Sequence, residues 1–370
     1  MNQKPFSLFK SAKGWRPISC FFILYISALT LTAGSAIAEP VTEPQINDQG
    51  EILQKIIHRP NPESFSIRPW EKNQRAATQP TKGSTAVMTP LITYNGGPVM
   101  PKLNAVYIIW YGKWSNATGS DTPAGQQIIR DSLFGLSQSG SYTNITTGTL
   151  GYYIQSSGGL YVTQVSSAVQ SEYTDSYSQG TKLTDSGVLK VVEHAIANGL
   201  GAFGGVPGPH ADAVYLVLSS SDVAESSGFC SRYCGWHTYT TYYSTATPVK
   251  YAFIGNANRC LSACAAQTLS PNNNAGVDAA GVDAMVSVIA HELEESVTDP
   301  LLNAWYDANG SENADKCAWT FGSSQTLLPS GAYANAVLPT STGGPRNYLV
   351  QRALAPQDSK CYINASNLAQ

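Results

Sequence analysis

The sequence predicts an α/β or α+β fold: a mixed sheet with helices, in one globular domain stapled by disulfides. Three observations carry the prediction. Short apolar, β-branched runs alternate along the chain with helix patterns that open on a capping residue. From position 91 about 280 residues follow without a compositional break, within the range of a single domain. Six of the seven cysteines lie in that same stretch, an even number suited to pairing.

The elements follow in order. Residues 1–38 read as an export signal, with Lys4, Lys10, Lys13 and Arg16 ahead of an apolar run from Cys20 and a small-x-small site at Ala36 and Ala38. The run is shorter than the roughly 20 residues of a spanning helix, so removal is expected rather than anchoring. Residues 39–90 read as a flexible linker or pro-segment, with Ile52 to Ile57 as one short helix within it. The domain, 91–370, opens on 105–111, a continuous β-branched and aromatic run that predicts a buried strand. Thr122 and Pro123 supply a cap and a first-turn proline for a helix over 126–133. Residues 160–165 alternate as a strand. Thr184 caps a helix through Val188, Val191, Val192 and Ile196, which Gly199 ends. Residues 213–218 and 251–254 predict two further strands, and 279–297 the longest helix. Beyond Thr320, glycine, serine and proline predict loops and short irregular strands.

Composition narrows the function. Residues 1–38 hold four basic and no acidic side chains, so their removal takes the formal charge from −3 to −7. Such a domain has no electrostatic reason to bind nucleic acid or an anionic membrane. In an exported chain Cys230, Cys234, Cys260, Cys264, Cys317 and Cys361 read as disulfides. The two C-x-x-x-C pairs also fit a four-thiolate zinc site by spacing. Cys317 is expected to pair with Cys361, because the other four cluster in sequence.

The chemistry concentrates in A-H-E-L-E-E-S-V-T-D-P, residues 290–300. Val282, Val286, Ile289, Leu293 and Val297 form one apolar stripe at helical spacing. One reading is therefore an ordinary amphipathic helix whose acids face water. The other is a metal motif, H-E-x-x-E. His291 and Glu295 are one turn apart and can converge on an ion, while Glu292 can serve a metal-bound water as base. Zn²⁺ is the expected ion, with Ca²⁺ or Mn²⁺ also suited to carboxylates. Glu312 is the expected third ligand, with Asp299, Asp307, Asp315 and His237 as alternatives.

Residues 93–100 and 105–114 resemble the opening of the EXORDIUM, or phosphate-induced protein 1, family. The resemblance continues through 214–223, 228–237, 251–256 and 260–264, and so covers most of the domain. It implies a secreted protein. Plant members are apoplastic and tied to growth, without an established activity, so no activity is implied. H-E-x-x-E at 291–295, with Asp307, Glu312 and Asp315 after it, looks like a bacterial branch, in which the plant growth role is not carried over. The order of strands, then a helix bearing H-E, is similar to that of zincin-like proteases.

Other signals are set aside. Gly199 to Gly204 fit G-x-G-x-x-G but follow a helix, so they read as a loop. His194 and His210 read as structural or surface residues. Two classes of function remain. One is a secreted or periplasmic zinc-dependent, peptidase-like hydrolase. The other is a non-catalytic extracellular protein that binds peptide or cell-surface polymer, with a structural metal or none.

Overall fold

Runs rich in Val, Ile and Tyr that lack polar alternation belong inside a parallel sheet with both faces covered. The structure, a computed structural model, describes residues 45–46, 52–53, 56–58, 91–138, 164–165, 167, 169–202, 209–242, 247–272, 278–341 and 343–363. Its central sheet is built from β1 (Ile56–His58), β2 (Ala105–Tyr111), β3 (Val169–Asp175), β4 (Ala213–Ser219), β5 (Gly235–Thr241) and β6 (Pro248–Ile254). The order is β1-β5-β6-β4-β2-β3. β6, β4, β2 and β3 run parallel; β5 is antiparallel to β6, and β1 is antiparallel to β5. Every residue of β2 and β4 is buried, as central strands require.

The crossover helices start where their caps lie. Thr122 accepts a hydrogen bond from Gly125 N at 3.0 Å and opens α1 (Pro123–Leu136), with Pro123 in its first turn. Thr184 does the same for α2 (Asp185–Ala197) through Gly187 N. The chain leaves β2 through α1 to reach β3, then returns through α2 to β4 on the other side of β2. Right-handed crossovers made in opposite directions place the two helices on opposite faces. α3 (Ala280–Thr298) packs with α1 and against β5 and β6. Alternation along β5 confirms the two faces. His237 meets α3, whereas Thr238 lies opposite Tyr251, whose phenol feels Asp185 of α2.

Several expectations are corrected. Ile52 to Ile57 is not helical: Ile52–Leu53 and Ile56–His58 are strands. β3 and β5 are absent from the expected list. Residues 160–163 of the expected strand over 160–165 lie outside the described residues, while Gln164–Val165 is a strand. The four-thiolate zinc alternative fails, because Cys230 pairs with Cys260 and Cys234 with Cys264, with Cα atoms 5.8 and 5.4 Å apart. These two bridges clamp the turn before β5 to the one-turn helix Leu261–Cys264 that follows β6. Cys317 pairs with Cys361, as expected, across a Cα separation of 5.7 Å.

The largest correction concerns α3. Its acids do not face water: every residue of the helix except Ala284 is buried. A second layer covers the polar side. Met100 N donates to Val297 O at 2.8 Å, Gln351 N donates to Ser287 Oγ at 3.1 Å, and Asp315 N donates to Glu295 Oε1 at 3.0 Å. A helical wheel reports one apolar stripe and has no access to chain that returns from elsewhere.

Asp283, in the first turn of α3, shows what this burial does. It accepts from Asn272 Nδ2 at 2.6 Å and from Ser270 Oγ. Burial raises its pKa to about 7, against those hydrogen bonds and the charge of Arg346. A carboxyl that is protonated in the fold and ionised in the unfolded chain stabilises the fold at low pH. Its contribution is full below about pH 4 and is lost as pH rises through about 7. Asp283→Asn is therefore expected to flatten the stability profile between pH 5 and 8 by roughly 2 kcal/mol, as read by urea unfolding at each pH.

Candidate metal centre

Three elements bring the donors together. α3 supplies His291, Glu292 and Glu295 from consecutive turns. β5 supplies His237, and the loop after α3 supplies Glu312 and Asp315. Gly235 permits the close approach of β5 to the helix. A Cβ there would lie 2.6 Å from Val288 Cγ1 and 3.1 Å from Glu292 Oε1. His237, two residues on, therefore reaches the helix acids on the same face of the sheet.

The groups form two overlapping sets that share Glu295. In the first, His291 Nε2 lies 3.1 Å from Glu295 Oε1 and 3.5 Å from Asp315 Oδ1. In the second, His237 Nδ1 lies 3.6 Å from Glu295 Oε2 and Nε2 lies 3.4 Å from Glu312 Oε2. Within each set the donor atoms fall within 4.8 Å of one another. Glu292 Oε2 is 3.3 Å from His237 Nδ1.

Every one of these residues except Asp315 is buried; the Asp315 side chain is 17 % exposed. Among the described residues, Glu292 Oε1 and Glu295 Oε2 find no hydrogen-bond partner. Among the described residues, no lysine or arginine forms an ion pair with any of these carboxylates. Burying an unpaired carboxylate costs several kcal/mol. The protonation pattern reflects that cost. Burial, with repulsion from Glu295 and Asp315, holds Glu292 well above the carboxylate range despite His291. Burial and Asp315 raise Glu295 to about 7, against His291. Glu312 is raised by burial and by Glu295, Asp299 and Asp315. Burial opposes a charge on His291, but Glu295, Asp315 and Glu292 outweigh it and hold the ring well above its usual pKa. His237 is driven down to about 3 by burial and by the neighbouring His291. The surroundings thus favour the charged form of His291 and the neutral form of His237. Two imidazoles and several carboxylates, dry and short of cations, suit a divalent ion such as zinc.

The expected ligands divide between the two sets. His291 and Glu295 meet Asp315, whereas Glu312 meets Glu295 and His237. Asp307 stands apart, accepting from Asn309 N and Ser311 N and pairing with Lys316, so it shapes the loop. Asp299 caps the end of α3 by accepting from Asn303 N at 2.6 Å and Ala304 N at 2.7 Å. Burial lifts it to about 6. His194 pairs with Asp175 and His210 packs on Tyr107, both away from the centre.

Residues 92–364 match the family model described as the phosphate-induced protein 1 conserved region. The chain belongs to that family. Among similar proteins, EXORDIUM-like 5 of Arabidopsis thaliana is 30 % identical, over 73 % of this chain and 77 % of its own length. EXORDIUM-like 3 of the same plant is 29 % identical, over 70 % and 79 %. PHOSPHATE-INDUCED 1 of Nicotiana tabacum is 25 % identical, over 73 % and 87 %. No solved structure matches. The family region contains all six donors of the centre, from His237 to Asp315, and begins after β1.

If the first set holds the ion, His291→Ala is expected to abolish stoichiometric zinc in the purified protein. His237→Ala, which removes a neighbour of the ligands, should weaken affinity by about 10- to 100-fold. Mass-spectrometric metal analysis and chelator competition on both variants check this; the reverse pattern, abolition in His237→Ala and weakening in His291→Ala, would place the ion in the second set.

Proposed function

We propose that the protein is an exported metal-dependent hydrolase of the peptidase type, with His291, Glu295 and Asp315 holding a zinc ion and Glu292 as general base. The observation that carries the reading is the convergence of His291, Glu295 and Asp315, with the acid that follows His291 beside them. His237 and Glu312 then form the buried wall on the sheet side, and His237 orients the Glu292 carboxylate. On this reading the H-E-x-x-E segment is the mark of a bacterial branch of the family. Three disulfides support export. No helix among the described residues is long and apolar enough to cross a membrane.

The chain's own contribution is proton handling. Bound zinc supplies a more acidic water and a polarised carbonyl. Glu292 takes a proton from water as its oxygen bonds to the amide carbon. The C–N bond then breaks, and the proton passes from Glu292 to the departing amine. His291, held charged by its carboxylates before an ion is bound, must lose its proton to become a ligand. Metal uptake thus releases protons and is favoured by rising pH.

The burial of the donors favours a second reading, a closed structural ion in a non-catalytic extracellular protein. Glu292→Gln separates the two. The hydrolase reading expects unchanged zinc content and a loss of 10²- to 10⁴-fold in hydrolysis of fluorescent casein. Hydrolysis that survives the substitution, or protein that binds no zinc, overturns it. Zinc retained with no hydrolysis by the wild type leaves the structural ion.

A further inference from the structure

β5 would be the edge of the sheet if the family region stood alone. One of its sides pairs with β6, and its other side, at Gly235–His237, pairs with β1. The register sets Gly235 opposite His58, Trp236 opposite Ile57 and His237 opposite Ile56. β1 precedes the family region, which begins at residue 92. It lies against α3 as well as β5, two of the three elements that build the metal centre.

We propose that the edge of β5 at Gly235–His237 is a binding site for extended polypeptide, and that Ile56–His58 occupies it in the resting protein. The inference rests on the hydrolase reading only for the fate of the bound polypeptide. An open strand edge presents a row of unpaired N–H and C=O groups that accept an extended segment through its main chain. The pairing needs no particular side-chain sequence beyond what fits beside His237. Three paired residues contribute little, because each cross-strand pair adds only a small increment. Arg59-Pro60 follows at once, and Pro60 has no N–H with which to extend the ladder. A short internal strand of this kind is displaceable by a longer segment in trans. It lies beside β5 and α3, the elements that carry His237 and Glu292, so a longer segment on the same edge would run past the centre.

Adjacent prolines in the full-length chain test this with a built-in control. Successive residues of an edge strand aim their N–H groups alternately at the partner and at solvent. Of Ile56→Pro and Ile57→Pro, only one therefore removes a ladder bond to β5. In that variant, amide exchange in the peptic fragment covering 235–241 is expected to rise at least tenfold. A fluorescein-labelled peptide of residues 52–59 is expected to bind that variant and not the wild type, by anisotropy. Its casein hydrolysis should rise severalfold, while the other variant behaves as wild type. Unchanged exchange in both variants overturns the proposal, as does absence of peptide binding. An equal response in both, with a lowered unfolding midpoint, also overturns it by showing a loss of folding. If the peptide binds but neither wild type nor variant cleaves casein, the hydrolase reading fails and the edge site stands.

Discussion

The structure turns on a set of carboxylates buried around α3 that, among the described residues, no lysine or arginine pairs with. Glu292, Glu295 and Glu312 lie fully out of water, and among the described residues the cation-forming group set between them is the His291 imidazole. Such a cluster opposes folding unless its protons or an ion neutralise it. Most of what surrounds α3 answers this constraint. α1, β5 and β6 supply the apolar packing, while the 307–317 loop and the 349–351 segment return to donate hydrogen bonds. The same constraint explains why the helix is not the amphipathic surface element that its sequence period suggests.

The crossover part of the fold was legible because its signals are local. Thr122-Pro123 and Thr184 mark helix starts through hydrogen bonds spanning three residues. The 105–111 and 213–218 runs have no polar face to leave in water. β5 was not legible: its sequence, Gly-Trp-His-Thr-Tyr-Thr-Thr, shows neither an apolar run nor a clean alternation. It is buried because α3 covers one face and aromatic residues pack on the other, where Trp236 meets Tyr251 and Phe253. Cys317–Cys361 could be read from sequence clustering, whereas the parallel pairing of the other four cysteines depends on where β5 and the helix after β6 meet.

The centre was legible only in part for the same reason. His291, Glu292 and Glu295 share one helix, and their spacing alone sets their relation. His237 reaches them through the register of β5 and the missing side chain of Gly235, and no short-range pattern encodes either. The order of Glu312 and Asp315 around Glu295 is fixed by a tight turn at Asp315–Cys317, where Asp315 N seats on Glu295. Loop carboxylates three residues apart look equivalent in sequence, and a single main-chain hydrogen bond distinguishes them.

The Cys317–Cys361 bridge has a consequence for the timing of assembly. It fastens the turn that presents Asp315 to a strand, Lys360–Tyr362, near the end of the chain. A ribosome-bound chain has already made β2 through α3 when that strand is still unsynthesised. The scaffold can therefore collapse while the 307–317 loop is still untethered. The seating of Asp315 on Glu295 gains its covalent support only once Cys317 and Cys361 are oxidised, so the order of the chain makes the polar cover of α3 the late part of the fold.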